Sequence, residues 1–340
     1  MPPLHCRYRA HLSKEKVAQL VAPHPDTLEL MYSWLGHHGV PSSSISTIQG
    51  GSWLKLTGVP VSQADKLLGA SYQLYRRTGT NDTTILRTIG YALPAMLHSY
   101  VKTVVPTTFF ASPRTLRQTP RKHSVGATAD IASRALAAIT PADLRWLYKT
   151  RAYVPAAMNK NEIGIAGYED NTPSPVDLTM FMKRYRTDAV EPKPDYTVVH
   201  INDGVYDPDH PTTEANLNMQ YAQAITYPTP HVFYSTGGGG EFIPESNEPA
   251  DGDIWLEWLF YMLTDPNIPQ TVCTTYGIRE DYLPLEYAET VCDMFAELGA
   301  LGVSVIFASG DHGVGEGDCI VDDDSGVVQF SPVFPASCMS

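Results

Sequence analysis

The N-terminal third of the chain alternates between helical and strand-like spacing of its apolar residues. In the helical stretches apolar residues recur every three or four positions, and Ser13 and Asp26 stand where caps would begin the first two helices. The strand-like stretches alternate apolar with polar side chains, as half-buried strands do. The predicted elements are helices at 11–22, 26–36 and 62–69 and strands at 52–59 and 71–76. Their mixture and short turns predict a compact α+β domain over residues 1–105.

Beyond residue 140 apolar strands alternate with amphipathic helices. The strands are apolar without regular polar alternation, which is typical of a parallel sheet covered by helices on both faces. The predicted strands are 161–168, 196–202, 231–240, 269–277 and 303–311, and the predicted helices are 174–185, 213–221, 253–263 and 285–302. The pattern predicts an α/β domain over residues 141–340, whose reactive side chains gather at the carboxyl ends of the strands.

The two predicted domains are separated by a segment without apolar periodicity, residues 106–140. Pro, Ser, Thr and Arg dominate it, which predicts an exposed linker. Proteases cut basic, exposed linkers easily, so we expect a processing site here. A permanent tether between two domains is the alternative interpretation.

The charge of the chain is divided unevenly. Its 340 residues are 43% hydrophobic and 18% charged, as in an ordinary globular protein, and the formal net charge is −13. Residues 1–150 contain 17 Lys and Arg against 7 Asp and Glu, whereas residues 151–340 contain 7 against 30. The basic residues are scattered, which makes a nucleic-acid-binding module the weaker hypothesis. We therefore expect the basic part to dock on the acidic part.

Several common signals are missing from the sequence. The glycine-rich turn at 313–317 has the wrong spacing for a nucleotide loop, and the acidic residues around it would repel phosphate. The same turn fits no EF-hand, no HExxH is present, and the five cysteines lack CxxC spacing. No apolar run is long enough to span a membrane, and no signal peptide is recognisable. We expect no metal, no cofactor, no nucleic acid and no membrane as partners of this chain.

The helix that contains the sequence TEANLNMQY places Glu214 and Asn218 four residues apart. At about 100° per residue, this spacing returns to nearly the same face. A carboxylate and an amide therefore face one cleft, and the amide can form hydrogen bonds but cannot titrate.

Five stretches of the sequence are distinctive: TEANLNMQY, TYPTPHVFYSTGG at 226–238, NIPQTVCTTYG at 267–277, SGDHGVG at 309–315 and the terminal FSPVFPASC. Together they resemble the sedolisin family of serine-carboxyl peptidases, and most closely the fungal secreted tripeptidyl peptidases. The stretch HLSKEKVAQLVAPHPDTLELMYSWLGHHGVPSSSIS resembles the prosegment of these enzymes. The resemblance implies a subtilisin-like α/β domain, incomplete at its C-terminus, behind an α+β activation prodomain.

The resemblance also implies roles for individual residues. In this family a Glu activates a Ser nucleophile and is hydrogen-bonded to an Asp four residues later, and a further Asp completes the oxyanion hole. Glu214 matches the base and Asp311 the oxyanion acid, while Asn218 stands at the position of the partner Asp. The run Gly237 to Gly240 resembles the segment that lies beside the substrate backbone, and a mobile loop is its alternative interpretation. We expect Ser235, Gly237 and Gly238 to bind the substrate.

The chain departs from the family pattern in two ways. Asn218 replaces the Asp, and no Gly-Thr-Ser occurs, so the nucleophile Ser of the family's GTSxxP segment is absent; Ser235 and Ser309 stand elsewhere. The family's calcium site also lies beyond Ser340. We therefore expect a tripeptidyl peptidase precursor for acidic pH that is inactive as written, with its own prodomain as intramolecular partner. A non-catalytic remnant that binds a peptide or partner is the alternative.

Two further expectations depend on the resemblance. The family is secreted, so we expect an extracellular protein. An oxidising location would allow Cys319 and Cys338, which both follow predicted strands at one edge of the sheet, to form a disulfide.

Overall fold

The structure of the chain is a computed structural model. It describes residues 10–76, 84–110, 114–115, 139–155, 161–191, 193–238, 254–310, 327–328, 330 and 332–338. Within these residues, no helix combines the length and the apolar character needed to cross a bilayer.

The N-terminal part contains helices and two separate antiparallel strand pairs, β1 with β2 and β3 with β4. The bounds are α1 Lys14–Val21, α2 Pro25–His37, β1 Ile45–Ile48, β2 Trp53–Leu56, α3 Val61–Leu68, β3 Gln73–Arg76 and β4 Thr84–Arg87. A small core of Trp34, Leu35, Leu67 and Leu97 holds them together. The α+β prediction is confirmed, although the sequence pattern did not reveal β1 or β4.

The first two helices begin with different caps. The Ser13 hydroxyl accepts a hydrogen bond from the Lys16 backbone N–H at 3.3 Å, as predicted for α1. Asp26 does not cap α2, because the helix already begins at Pro25 and His24 is the cap residue. Proline suits the first helical position, since its fixed φ is helical and that position needs no N–H donor.

The C-terminal part is built on a five-stranded parallel sheet in the order β11-β9-β6-β8-β7. Its strands are β6 Ile163–Tyr168, β7 Thr197–Ile201, β8 His231–Thr236, β9 Thr271–Thr274 and β11 Ser304–Phe307. The helices of this part are α4 Pro141–Leu147, α5 Pro175–Tyr185, α6 Thr213–Thr226, α7 Ile254–Thr264 and α8 Leu285–Ala300. The short helix α4, which the sequence analysis did not predict, begins at a capping box formed by Thr140 and Asp143.

Helices cover both faces of this sheet, which confirms the predicted α/β class. Ile165 and Phe233 point to one face, where they pack with Leu178 of α5 and Met219 of α6. The other face carries the larger core. Its members include Ala166, Tyr168, Val232 and Tyr234 of the sheet and Trp255, Trp258, Val291 and Phe295 of α7 and α8.

The predicted strand 269–277 is in fact two strands with different partners. The chain leaves the parallel sheet where β9 ends at Thr274. After Thr275 it continues as β10, Tyr276–Arg279. Strand β10 pairs antiparallel with β12, Val333–Phe334, and on its other side with β5, Arg114–Thr115. Strand β5 lies within the predicted linker.

The N-terminal part packs against α7 and α8. The ring of Trp53 meets that of Phe260 edge-on at 5.2 Å between centroids, and Phe109 stacks on Tyr287 at the same distance. Ion pairs surround these apolar contacts: Lys55 lies 3.0 Å from Glu257, and Lys102 lies 3.0 Å from Asp293.

One disulfide links Cys338 to Cys292 of α8, with the two Cα atoms 5.3 Å apart. The predicted pairing of Cys338 with Cys319 is therefore wrong, and Cys319 itself lies outside the described residues. The reason is tertiary: β12 pairs with β10, and the turn after β12 brings Cys338 onto the core that also contains α8. Cys273 in β9 is a free thiol.

Candidate active site

Glu214 and Asn218 lie half-buried on the first two turns of α6. Their side chains are joined through a third residue. The Thr275 hydroxyl donates a hydrogen bond to Glu214 Oε1 at 2.6 Å and accepts one from Asn218 Nδ2 at 2.9 Å. The two helix residues do share a face, but a residue from a strand end connects them.

Thr275 occupies the junction between β9 and β10, at the carboxyl end of a parallel strand. Sequence reasoning did not single it out. A signal was available, because Thr275 directly follows the apolar run of β9, and side chains at such positions collect at the functional edge of a parallel sheet.

Glu169 is a second carboxyl group that sequence reasoning missed. It follows β6, and it and Asp170 have φ angles of 52° and 57°, in the left-handed region. Burial, assisted by the charges of Asp170 and Glu214, raises the pKa of Glu169 to about 7. Two non-glycine residues in this conformation cost free energy, and such strain is concentrated at functional sites.

Tyr276 forms the buried wall of the site. It is almost fully buried, and its ring meets Tyr168 edge-on at 4.9 Å between centroids. Burial and the nearby carboxylates of Glu214 and Glu169 raise the pKa of this phenol far above its ordinary value. The phenol therefore stays protonated, and a hydroxyl lies near two carboxyl groups.

The other predicted site residues lie at the carboxyl end of β8. Ser235 is buried, and its hydroxyl donates to the carbonyl oxygen of Val205 at 2.6 Å. A Cβ atom on Gly237 would lie 2.2 Å from the Asn202 carbonyl oxygen, so only glycine fits there. Gly238 has a φ of 114°. This geometry explains the glycines by close backbone approach and backbone angle, and substrate binding by these residues stays a prediction.

One predicted site residue cannot be placed, and a metal site is a separate question. Asp311, the predicted oxyanion acid, lies outside the described residues. Among the residues that the structure describes, no group of three or more His, Cys, Asp or Glu side chains is arranged to hold a metal ion.

The linker passes close to this site. Thr115 is paired with Tyr276 and Arg114 with Gly277, so β5 runs antiparallel along the strand that begins immediately after Thr275. The backbone of the segment in which we predict processing therefore covers one edge of β10.

Comparisons with known proteins give consistent results. The family described as "Pro-kumamolisin, activation domain" matches residues 2–110. A protein named "Probable tripeptidyl-peptidase SED3" from Arthroderma benhamiae is 33% identical over 346 residues, covering 99% of this chain and 57% of its own length. "Tripeptidyl-peptidase SED2" from Arthroderma otae is 31% identical, covering 99% of this chain and 58% of its own length.

Among solved structures, Pseudomonas sedolisin complexed with two molecules of pseudo-iodotyrostatin is similar at 16% identity and a TM-score of 0.41. That match covers 58% of this chain and 51% of the sedolisin chain. The chain thus spans a little over half the length of the curated relatives it matches.

Proposed function

The chain belongs to the sedolisin family of serine-carboxyl peptidases, and from this premise we propose that it is part of a tripeptidyl peptidase precursor. Its substrates would be peptides with a free N-terminus, cleaved at acidic pH. The observation that carries the proposal is a carboxylate, Glu214, held by a hydrogen bond from Thr275 beside a second carboxyl, Glu169, that stays protonated in acid.

In the proposed mechanism Glu214 is the general base. It takes the hydroxyl proton of the Ser nucleophile, which the family carries in its GTSxxP segment, as that oxygen attacks the scissile carbonyl carbon. A carboxylate can accept this proton in acid, where a histidine would already be protonated. Glu169, neutral at the same pH, spares Glu214 a second negative charge nearby.

Asp311 has a complementary role in this proposal. As a neutral carboxylic acid, it would donate a hydrogen bond to the oxyanion that develops on the substrate carbonyl oxygen. In the sequence Asp311 stands four residues after the end of β11, and the carboxyl end of that strand lies on the same edge of the sheet as Thr275, which supports the assignment.

The N-terminal part would serve as an activation prodomain. The family match to residues 2–110 supports this role, and so does its packing on α7 and α8. Processing would occur in residues 106–140, the segment that contains β5. We propose an extracellular location, with peptide or protein as substrate and the prodomain as intramolecular partner.

A non-catalytic function is the second candidate. Asn218 favours it, because an amide cannot exchange protons with Glu214 as a carboxyl would. In that case the site would bind a peptide or a partner without cleaving it.

One assay separates the two functions. The chain would be tested alone and joined to a C-terminal segment with GTSxxP, on a tripeptide-linked chromogenic substrate near pH 4. We expect tripeptide release from the joined protein, no cleavage of the N-acetylated substrate, and a loss of about 10²–10⁴-fold in Glu214→Gln. Peptide binding without release would favour the non-catalytic function, and release unaffected by Glu214→Gln would refute our assignment of the base.

A further inference from the structure

The Thr275 hydroxyl stands between the two helix residues of the site. It lies 2.6 Å from Glu214 Oε1 and 2.9 Å from Asn218 Nδ2. The helix brings residues 214 and 218 to one face, but the group that joins them comes from the carboxyl end of β9. Their relation therefore depends on a residue of another element.

Chemistry fixes the direction of both hydrogen bonds. A hydroxyl has one hydrogen to donate and an ionised carboxylate can only accept, so the Thr275 hydrogen points at Glu214 when Glu214 is charged. Thr275 must then accept its second hydrogen bond, which requires Asn218 to present its amide nitrogen. Asn218 thus donates to Thr275, and Thr275 donates to Glu214.

An aspartate at position 218 would disturb this arrangement. An ionised Asp has no hydrogen to give, so two carboxylates would compete for the single hydrogen of Thr275. Their like charges would also face each other across one hydroxyl. In the family pattern the side chains at these two helix positions are hydrogen-bonded directly. Here residues 214 and 218 are connected through the Thr275 hydroxyl.

We propose that Thr275 is a positioning residue for Glu214, and that Asn218 is matched to Thr275 as the donor that orients its hydroxyl. We refer to this chain of contacts as the Asn218–Thr275–Glu214 relay. Thr275 is well anchored for the task, because its neighbours Thr274 and Tyr276 are both buried. The statement that Glu214 acts as a base rests on the proposed function, whereas the relay rests on the geometry alone.

The first test follows the Glu214 carboxyl itself and needs no activity. In the full chain labelled with ¹³C at the Glu side chains, the Glu214 signal is assigned by its loss in Glu214→Gln and followed against pH. We expect Thr275→Val to raise the titration midpoint by about one pH unit, because the hydrogen bond to the charged form is lost. Glu169 and Tyr276, which also face Glu214, are unchanged in this comparison.

Two matched variants control for structural effects. Thr275→Ser keeps the hydroxyl and should restore the wild-type midpoint. Thr274→Val removes the adjacent buried hydroxyl, which has no hydrogen-bond partner among the described residues, and should leave the midpoint unchanged. An equal midpoint in Thr275→Val and Thr274→Val would overturn the proposal.

Variants on the helix test the relay from its other end. Asn218→Leu removes the donor to Thr275 and should raise the midpoint in the same direction by a smaller amount; no change would contradict the role of Asn218. Asn218→Asp should turn the single titration into two coupled steps. These variants keep the proposal testable if Thr275→Val fails to fold.

Kinetics of the joined protein supply the second readout. We expect Thr275→Val to lower kcat by about 10²-fold with little change in KM, and Thr275→Ser to recover most of it. A shifted midpoint in a protein without any peptidase activity would support the relay and refute the proposed function. Peptidase activity in the joined protein, together with an unshifted Glu214 midpoint and an unchanged kcat in Thr275→Val, would support the proposed function and refute the relay.

Discussion

Glu169 carries a proton in the folded protein over a pH range in which the unfolded chain has lost it. Its pKa is raised from an ordinary 4.5 to about 7, first by burial and then by Asp170 and Glu214. Folding therefore binds a proton between these values. The contribution of Glu169 to stability is fully present below the unfolded pKa and is lost as the pH rises through about 7.

Replacing Glu169 by Gln should remove this dependence. We expect Glu169→Gln to leave the free energy of unfolding nearly unchanged near pH 4 and to raise it by up to about 3 kcal/mol near pH 8, where the wild type holds a buried charge. Urea denaturation at both pH values measures this, with Glu29→Gln, an exposed carboxylate of α2, as the control. An equal effect of Glu169→Gln at the two pH values would contradict the interpretation.

At the scale of residues, the sequence predicts relations along one helix better than relations between elements. Glu214 and Asn218 were found because their spacing is a property of the helix itself. Glu169 and Thr275 come from the ends of β6 and β9, and only the folded sheet brings them to Glu214. The sequence shows that Glu169 and Thr275 follow apolar strands, but it does not show that both lie near Glu214.

The disulfide is the element-scale feature that invites a direct test. It links α8 to the segment after β12 and closes a loop with a sequence separation of 46 residues. Constraining a loop of this length in the unfolded state is worth about 4 kcal/mol in the chain-entropy account. We expect Cys338→Ser to lower the free energy of unfolding by an amount of this order, measured by denaturant titration of oxidised protein.

The free thiol provides the control for that experiment. Cys273→Ala leaves the disulfide in place, so its effect should be smaller and should persist after reduction. The Cys338→Ser effect should vanish when the wild type is reduced. Peptide mapping without reduction that finds Cys338 bonded to Cys319 would show that the pairing with Cys292 is not the one formed.

At the scale of elements, periodicity predicted the parallel strands and every helix of the C-terminal part except the short α4, because buried strands and amphipathic helices each carry a distinct pattern. It failed at 269–277, where one apolar run contains both β9 and β10. None of the side chains of β9 and β10 is exposed, so the hydrophobicity of the sequence does not show that the chain changes sheet at Thr275. The short β1 was missed because its polar ISTI sequence has little apolar alternation.

The whole molecule joins a basic N-terminal part to an acidic C-terminal part, as the charge division predicted. The ion pairs at the contact are partly exposed, with 46% of the Lys102 and 73% of the Asp293 side chain accessible, so each is worth at most about 1 kcal/mol. The apolar contacts of Trp53 and Phe109 do not depend on charge. The sequence predicted that the two parts dock but not that they meet at α7 and α8, and a docking driven by charge stays a prediction.

One group at this contact opposes release in acid. Gln49 donates a hydrogen bond to Glu297 of α8, which by itself lowers the pKa of that carboxyl, but burial raises the pKa by more, so that it lies above its ordinary value. Protonation of Glu297 therefore favours the docked arrangement, and its contribution is lost as the pH rises through its raised pKa. The long-range attraction between the two parts depends on pH in the opposite direction. It weakens in acid, because acid neutralises the carboxylates of the C-terminal part.

We expect the long-range term to dominate, since residues 151–340 contain 30 acidic residues and Glu297 is a single group. The N-terminal part should then open from α7 and α8 more readily near pH 4 than near pH 7, and more readily in high salt, which screens the attraction. Hydrogen exchange of the α8 amides in the full chain, corrected for intrinsic rates, measures the opening.

Two sets of substitutions test the contributions separately. In Glu297→Gln the N-terminal part should dock more tightly than in the wild type at pH 7, and its opening should increase more steeply as the pH falls. Lys55→Gln combined with Lys102→Gln should weaken the salt dependence of the opening. Exchange that is insensitive to salt and to these substitutions would show that the apolar contacts alone hold the two parts together.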